Sequence, residues 1–119
     1  MTEVIYLSEK FKLIADLWHP RIVGGLNGNY IKIVRLKGEF VWHQHEKEDE
    51  LFLVTRGSLT IKLRDRDLNV QEGQFVIIPK GVEHLPVAAG EPLVLLMEPK
   101  STVNTGDAKT DRTVEAEWI

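Results

Sequence analysis

The sequence of 119 residues contains no cysteine, which excludes disulfide bonds and thiolate metal ligands. Long apolar runs are also absent: none approaches the roughly 20 residues that a membrane span needs, and the N-terminus lacks a signal pattern. Nor is there an excess of positive charge, since 15 basic and 18 acidic residues give a net charge of −3. Nucleic acids and anionic membranes attract basic surfaces. We therefore expect a cytoplasmic protein with neither partner.

Histidine is scarce too, yet three of the four histidines lie in two short segments. His43 and His45 are two residues apart, so on an extended strand both imidazoles leave the same face. Glu50 follows a short acidic segment and directly precedes a predicted strand, Leu51–Val54. A polar loop between two strands predicts a hairpin that brings Glu50 beside the two histidines. Two imidazoles and a carboxylate are typical of a first-row metal site.

The second segment supplies one more imidazole. Phe75–Ile78 is predicted to be a strand, Pro79 to Gly81 a tight turn, and His84 follows it. His43, His45, Glu50 and His84 together would hold one divalent transition metal ion: Fe, Mn, Ni, Co, Cu or Zn, among which the ligand types do not choose.

Other polar residues fit this site less well. Glu46, Glu48 and Asp49 fit a solvated loop, with Glu48 as the alternative carboxylate ligand if the strand register differs. His19 lies outside both segments, directly before Pro20, and fits a surface or capping role.

From residue 21 onward the chain shows the pattern of an all-β domain. Short segments of β-forming residues are separated by turn residues, which is typical of a sandwich or barrel. Pro86 indicates an edge strand or a bulge. The predicted strands are Ile22–Leu26, Tyr30–Leu36, Phe40–His45, Leu51–Val54, Leu59–Arg64, Leu68–Val70, Phe75–Ile78, His84–Ala89 and Leu93–Met97.

The two ends of the chain differ from this β pattern. Met1–Leu7 is predicted to be an extended arm. Ser8 is the expected N-cap of a short helix that presents Phe11, Ile14, Ala15 and Trp18 on one face and ends before Pro20. Residues 100–119 are expected to form a polar tail over the barrel, anchored by Trp118 and Ile119. We thus predict one domain over 1–119, with arm and helix in 1–20 and the barrel in 21–99.

The two histidine segments resemble the two motifs of the small single-domain cupins. The first motif is matched by Gly38, His43, His45, Glu50 and Gly57, and the second by Gly73, Pro79, Gly81 and His84. Gly38 stands one residue closer to His43 than in the family pattern, and Ala88 replaces an asparagine that is not a metal ligand in the family. The resemblance implies a double-stranded β-helix, the cupin jelly-roll barrel, with the four metal ligands inside it.

The resemblance also implies a function. We expect a metal-dependent enzyme, dioxygenase-like or sugar-isomerase-like, acting on a small metal-chelating metabolite. The alternatives are a non-catalytic module that binds or senses a small molecule or a metal, and a metal-free structural barrel. Once the ligands are assigned, no general acid or base is evident, so the remaining lumen is expected to be largely apolar, with Tyr30 and Lys32 offering polar groups at its mouth.

Several strands are apolar on both faces, which predicts a homodimer. Leu51 and Leu53 alternate with Phe52 and Val54, and Phe75–Ile78 has no polar side. A lone small barrel would expose one polar face of each strand. A second apolar face needs a cover, which a second copy would provide.

Overall fold

The computed structural model describes residues 2–119, so Met1 of the predicted arm lies outside the described residues. Within this range the chain forms one short helix, α1 (Leu7–Phe11), followed by ten strands. No helix among these residues is long and apolar enough to cross a membrane. The strands are β1 (Arg21–Leu26), β2 (Asn29–Arg35), β3 (Gly38–Glu39), β4 (Glu50–Arg56), β5 (Ser58–Leu63), β6 (Asp67–Gln71), β7 (Phe75–Ile78), β8 (His84–Ala88), β9 (Leu93–Pro99) and β10 (Glu117–Trp118).

The strands form two sheets, as the predicted all-β jelly roll requires. One sheet has six strands in the order β10-β1-β2-β9-β4-β7, and the other has four in the order β3-β8-β5-β6. All neighbours are antiparallel except β10, which runs parallel to β1. The predicted double-stranded β-helix is therefore confirmed.

The main hydrophobic core lies between the two sheets. In β4 the alternating residues Glu50, Phe52 and Val54 are buried, and β5 buries Leu59 and Ile61 in the same way. Alternation places every second side chain on the inner face, so these strands line the barrel lumen. Glu50 thus enters an otherwise apolar interior at the first residue of β4.

A second hydrophobic cluster covers part of the outer face of the six-stranded sheet. Phe11 of α1 and Ile14 after it pack with Val23 of β1 and Ile33 of β2. Ile119 also packs against this cluster, and its backbone N–H donates to the carbonyl of Ile22 at 3.1 Å. The C-terminal residue therefore anchors the tail, as the sequence predicted, whereas Trp118 is largely exposed.

The helix is shorter than predicted, and Ser8 is not its N-cap. Helix α1 begins at Leu7 with Tyr6 as the capping residue and no side-chain cap. It ends because the next residues form tighter turns, and the predicted continuation to Trp18 is excluded because Trp18 adopts a φ of +60°, outside the right-handed helical region. The Trp18 ring stacks on Phe40 and its indole nitrogen donates to the carbonyl of Lys37 at 2.8 Å. Tertiary contacts thus outweigh the helical periodicity.

The predicted strand Phe40–His45 and its hairpin with β4 are also wrong. The regular strand β3 covers only Gly38–Glu39, and beyond it the segment contacts β8 through an isolated bridge between His43 and His84. Because β3 and β4 belong to different sheets, the acidic segment 46–49 crosses from one sheet to the other. Glu50 reaches the histidines from the opposite wall of the barrel.

Pro86 does not lie in an edge strand, because β8 stands between β3 and β5. Its carbonyl still accepts a hydrogen bond from the backbone N–H of Phe40 at 3.0 Å. The neighbouring β3 is only two residues long, so the missing N–H of proline interrupts little pairing on that side.

Candidate metal centre

Backbone pairing brings the histidines of the two sequence segments together. The backbone N–H groups of His43 and His84 each donate to the carbonyl of the other residue, at 3.1 and 2.9 Å. The carbonyl of His45 accepts from the N–H of Gly81 at 2.8 Å. Gly81 has a φ of +81°, a conformation that favours glycine and that the turn after β7 requires. The turn therefore holds His84 beside the segment that carries His43 and His45.

Four side chains converge at this point. One ligand atom of each of His43, His45, Glu50 and His84 lies within 4.8 Å of all the others. Oε1 of Glu50 is 3.4 Å from Nε2 of His45 and also 3.4 Å from Nε2 of His84. All four residues are buried, with His84 completely so.

Hydrogen bonds orient two of the imidazoles. Nδ1 of His43 lies 2.8 Å from the carbonyl of Val41, and Nδ1 of His84 lies 2.9 Å from the carbonyl of Val82. A carbonyl oxygen only accepts, so Nδ1 carries the proton in both rings and Nε2 keeps its lone pair. This arrangement, in which the outer nitrogen donates to a backbone carbonyl, is common in metal-ligating histidines.

Several inner atoms of the cluster have no hydrogen-bond partner. Among the described residues, the unpartnered buried atoms include both ring nitrogens of His45, Nε2 of His84 and Oε1 of Glu50. Buried polar atoms without partners are costly. A cation would satisfy these lone pairs, and three imidazoles with one carboxylate suit a divalent transition metal. The cluster can therefore hold a metal ion.

The environment keeps the imidazole of His43 neutral. The pKa of His43 is lowered from 6.5 to about 4, mainly by burial and also by the neighbouring His84. The hydrogen bond to Val41 and the charge of Glu50 oppose this shift. A metal ligand must present a free lone pair, so a depressed pKa keeps His43 ready to bind over a wide pH range.

Sequence reasoning missed a fifth titratable residue beside the cluster. Glu98 of β9 is buried, and its Oε1 accepts from Nζ of the buried Lys32 at 2.8 Å. Burial raises the pKa of Glu98, and the charge of Glu50 raises it further. Burial also acts upward on the pKa of Glu50, but the adjacent side chains of Glu98, His45 and His84 outweigh it and lower that pKa. The sequence predicts a lumen that is largely apolar apart from the four ligands. The buried Lys32 and Glu98 show that this expectation is wrong.

The parity of the strands carried a signal for this residue. Glu98 shares its strand face with Val94 and Leu96, and Lys32 shares its face with Val34. All three of these apolar residues are buried. A charged residue in phase with buried apolar neighbours points inward, so Lys32 lies within the barrel and not at its mouth. Tyr30 stays half-buried and contacts Trp118 edge-on.

A small cavity adjoins the cluster. Its space is about 40 Å³, which admits a few water molecules at most. His43, Glu50 and Glu98 line it together with apolar side chains, and the stacked rings of Trp18 and Phe40 form one wall. The ring centroids of this stack are 4.7 Å apart.

The other polar residues of the sequence analysis lie elsewhere. Glu48 accepts a hydrogen bond from Ser101 at 3.0 Å, and Asp49 accepts from the backbone N–H of Lys80 at 2.9 Å. Glu46 is exposed. His19 contacts Asp16 and the carbonyl of Glu115, away from the cluster. None of these residues belongs to the converging group.

The chain is similar to a known protein family, to a bacterial relative and to several solved structures. Residues 32–98 match the family described as Cupin domain. The uncharacterized protein YdbB of Bacillus subtilis is 33% identical over 63 residues. That alignment covers 52% of this chain and 56% of the relative, so the chain spans little more than half of that protein.

Solved structures match more of the chain. A cupin-2 domain containing protein from Shewanella frigidimarina is 43% identical with a TM-score of 0.79, over 81% of this chain and 94% of that one. Protein NMB1881 from Neisseria meningitidis is 26% identical with a TM-score of 0.75, over 82% of this chain and 99% of that one.

Proposed function

Because the chain belongs to the cupin domain family, we propose that it binds one divalent transition metal ion and acts as a metal-dependent enzyme on a small metal-chelating metabolite. The ligands are His43, His45, Glu50 and His84. The observation that supports this proposal is the buried cluster of unpartnered nitrogen and oxygen atoms at the wall of a cavity.

Each part of the site has a role in this proposal. His43 and His84 hold their Nε2 lone pairs toward the centre through hydrogen bonds to Val41 and Val82. Glu50 supplies negative charge from the opposite sheet. The apolar lining limits the cavity to a few water molecules at most, which strengthens electrostatic interactions within it. A divalent ion held there supplies Lewis acidity or, if it is iron, the capacity to activate O₂.

Two reaction classes are consistent with this site, dioxygenase-like and sugar-isomerase-like. In both, the residues of the cavity orient a chelating substrate and exclude water. The alternative is a non-catalytic module that binds or senses a small molecule or the metal. Tight ligand binding without turnover would distinguish this alternative from an enzyme.

The first experiment is reconstitution. Chelator-treated protein is loaded anaerobically with individual divalent ions, and bound metal is measured for the wild type, His43→Ala and His84→Ala. We expect one ion per chain in the wild type and a large loss in both variants, with His19→Ala as a control that keeps wild-type content. Equal metal in all four proteins would refute the assignment. A metabolite screen with an O₂-uptake readout then tests the reaction class.

We also propose that the protein is a homodimer. In the paired strands β4 and β7, Leu51 stands opposite Ile77 and Leu53 opposite Phe75. These side chains point away from the core, and Phe75 and Ile77 are 62% and 52% exposed. The cluster around α1 covers the β1–β2 part of the outer face and leaves the part at β7 open.

The partner that fits this open face is a second copy of the chain. β7 is the edge strand of its sheet, so its outer backbone groups can pair with another strand. The arm of each chain carries Val4 and Tyr6, which are 85% and 70% exposed. An arm with exposed apolar side chains complements an uncovered apolar face on another copy.

A further inference from the structure

Lys32 and Glu98 form a buried ion pair outside the histidine cluster. Among residues 2–119, no other lysine or arginine forms a buried ion pair with a carboxylate. The side chains of Lys32 and Glu98 are 5% and 1% exposed, and Nζ lies 2.8 Å from Oε1. The two residues sit on adjacent strands, where Lys32 is paired with Leu96 and Glu98 with Tyr30, so they meet on the diagonal of the ladder.

Only one oxygen of Glu98 is used in this pair. Oε2 is buried and has no hydrogen-bond partner among the described residues. Apart from the cluster and Glu98, two side chains in the cavity lining carry polar atoms, Asn104 and Trp18, and the indole nitrogen of Trp18 donates to the carbonyl of Lys37. Both polar atoms of Asn104 make hydrogen bonds within the chain, because Nδ2 donates to the carbonyl of Arg112 and Oδ1 accepts from the N–H of Val114. Outside the cluster, Oε2 of Glu98 is therefore the one polar side-chain atom of this lining that makes no hydrogen bond among the described residues.

We propose that Oε2 of Glu98 is a ligand contact that hydrogen-bonds a hydroxyl group of the molecule held at the metal centre. Lys32 is its positioning residue, because it holds the other oxygen and fixes the orientation of the carboxyl group. This inference rests on the proposed function, since it assigns the ligand of the same site.

The chemistry of the wall selects a neutral hydroxyl. A hydroxyl both donates and accepts, so it pairs with a carboxyl group in either protonation state. An ammonium group would meet the positive charge of Lys32, and a second carboxylate would meet the oxygens of Glu50 and Glu98. With a space of about 40 Å³, the ligand class is a small oxygen chelator with a hydroxyl next to its chelating group, such as a short 2-hydroxy acid.

The test compares glycolate with acetate, which differ only in that hydroxyl. Dissociation constants for both are measured by calorimetry on protein loaded with a divalent ion and checked for metal content. We expect the wild type to bind glycolate more tightly than acetate. The hydroxyl can also favour glycolate by chelation alone, so the informative quantity is how this preference changes on removal of Glu98.

Two variants isolate the contribution of Glu98. Lys32→Met/Glu98→Met replaces the pair by apolar side chains of similar length and leaves no unpaired buried charge. We expect its preference for glycolate to fall about tenfold, the effect of one buried hydrogen bond. Glu98→Gln keeps a hydrogen-bonding group and should keep most of the preference. The exposed pair variant Glu9→Met/Lys12→Met, which removes a surface ion pair between α1 and the residue that follows it, should match the wild type.

The outcomes separate the two proposals. Protein that takes up no ion refutes the proposed function. Protein that takes up the ion but binds glycolate no better than acetate, or whose apolar pair variant keeps the full preference, refutes the role of Glu98 and leaves the metal centre standing. Glu98→Gln stands in for the uncharged form of the carboxyl group. If it loses the preference for glycolate as fully as the apolar variant does, the claim that the hydroxyl pairs with the carboxyl group in either protonation state is refuted.

Discussion

Acid should destabilise the metal-free protein through His43. Burial lowers the pKa of His43 from 6.5 to about 4. Above pH 6.5 the imidazole is neutral in both the folded and the unfolded chain. As the pH falls from 6.5 toward 4, the unfolded chain binds a proton that the folded chain does not, so the free energy of unfolding falls. The contribution of His43 to stability is thus fully present above pH 6.5, the pKa in the unfolded chain. It is lost as the pH falls toward about 4, the pKa in the folded chain.

The size of this loss follows from the shift. At about 1.36 kcal/mol for each pKa unit, the depression of the His43 pKa corresponds to about 3 kcal/mol over the whole window. For a domain of this size that is a large part of a typical unfolding free energy of about 5–15 kcal/mol.

Urea unfolding of chelator-treated protein at about pH 7 and about pH 4.5 measures the loss. Because carboxyl groups also titrate in this range, the comparison is with His43→Gln, which keeps a polar side chain and cannot titrate. We expect the wild type to lose about 2–3 kcal/mol more than the variant between the two pH values. Equal losses in the two proteins would show that His43 is not held neutral by folding, and the reasoning from burial would fail.

Three further results are expected. Treatment with a chelator should abolish any turnover, and one particular ion should restore it; activity that survives complete metal removal would contradict the proposed function. Sedimentation should show a dimer for the wild type and a monomer for Ile77→Glu, whereas Leu26→Glu, at an exposed apolar position away from β7, should remain dimeric; a monomeric wild type at micromolar concentration would contradict the homodimer. Gly106→Ala should lower the unfolding free energy by about 1–3 kcal/mol, because its φ is +55° and a Cβ would press on the carbonyl of Gln44, whereas Gly90→Ala meets nothing within 4 Å; equal melting temperatures for the two variants would contradict this packing of the tail.

The sequence predicted those features of the fold that depend on local pattern. Leu59 and Ile61 alternate with polar residues, and the structure buries both in β5. Phe75–Ile78 begins and ends as predicted. The sequence left open which face of this strand is inward, and the structure answers it: Ile78 is buried and Val76 packs against the core, while Phe75 and Ile77 point outward.

Features that depend on distant contacts were not predictable in the same way. Spacing alone placed His43, His45 and Glu50 together, but it implied a hairpin, whereas the two sheets bring them in from opposite sides. The prediction that these side chains converge was nevertheless correct. They point into the barrel whether the two segments form a hairpin or belong to opposite sheets. The predicted length of α1 was wrong because Trp18 contacts Phe40 and Lys37 instead of continuing the helix. These residues are distant in sequence, so no local pattern indicates the contacts.

The Lys32–Glu98 pair shows where the boundary between local and distant information lies. Parity alone places each charge inward, in phase with Val34 on one strand and with Val94 and Leu96 on the other. A buried charge requires a partner, so two inward charges of opposite sign in one small barrel already favour pairing. Their contact, however, depends on the register of β2 against β9, strands that lie 66 residues apart at this pair. Replacing such a pair by apolar residues is often neutral or stabilising, so stability alone gives little reason to place it beside a metal site. Its position at the cavity wall, with one oxygen left unpartnered, is what favours a role in ligand binding.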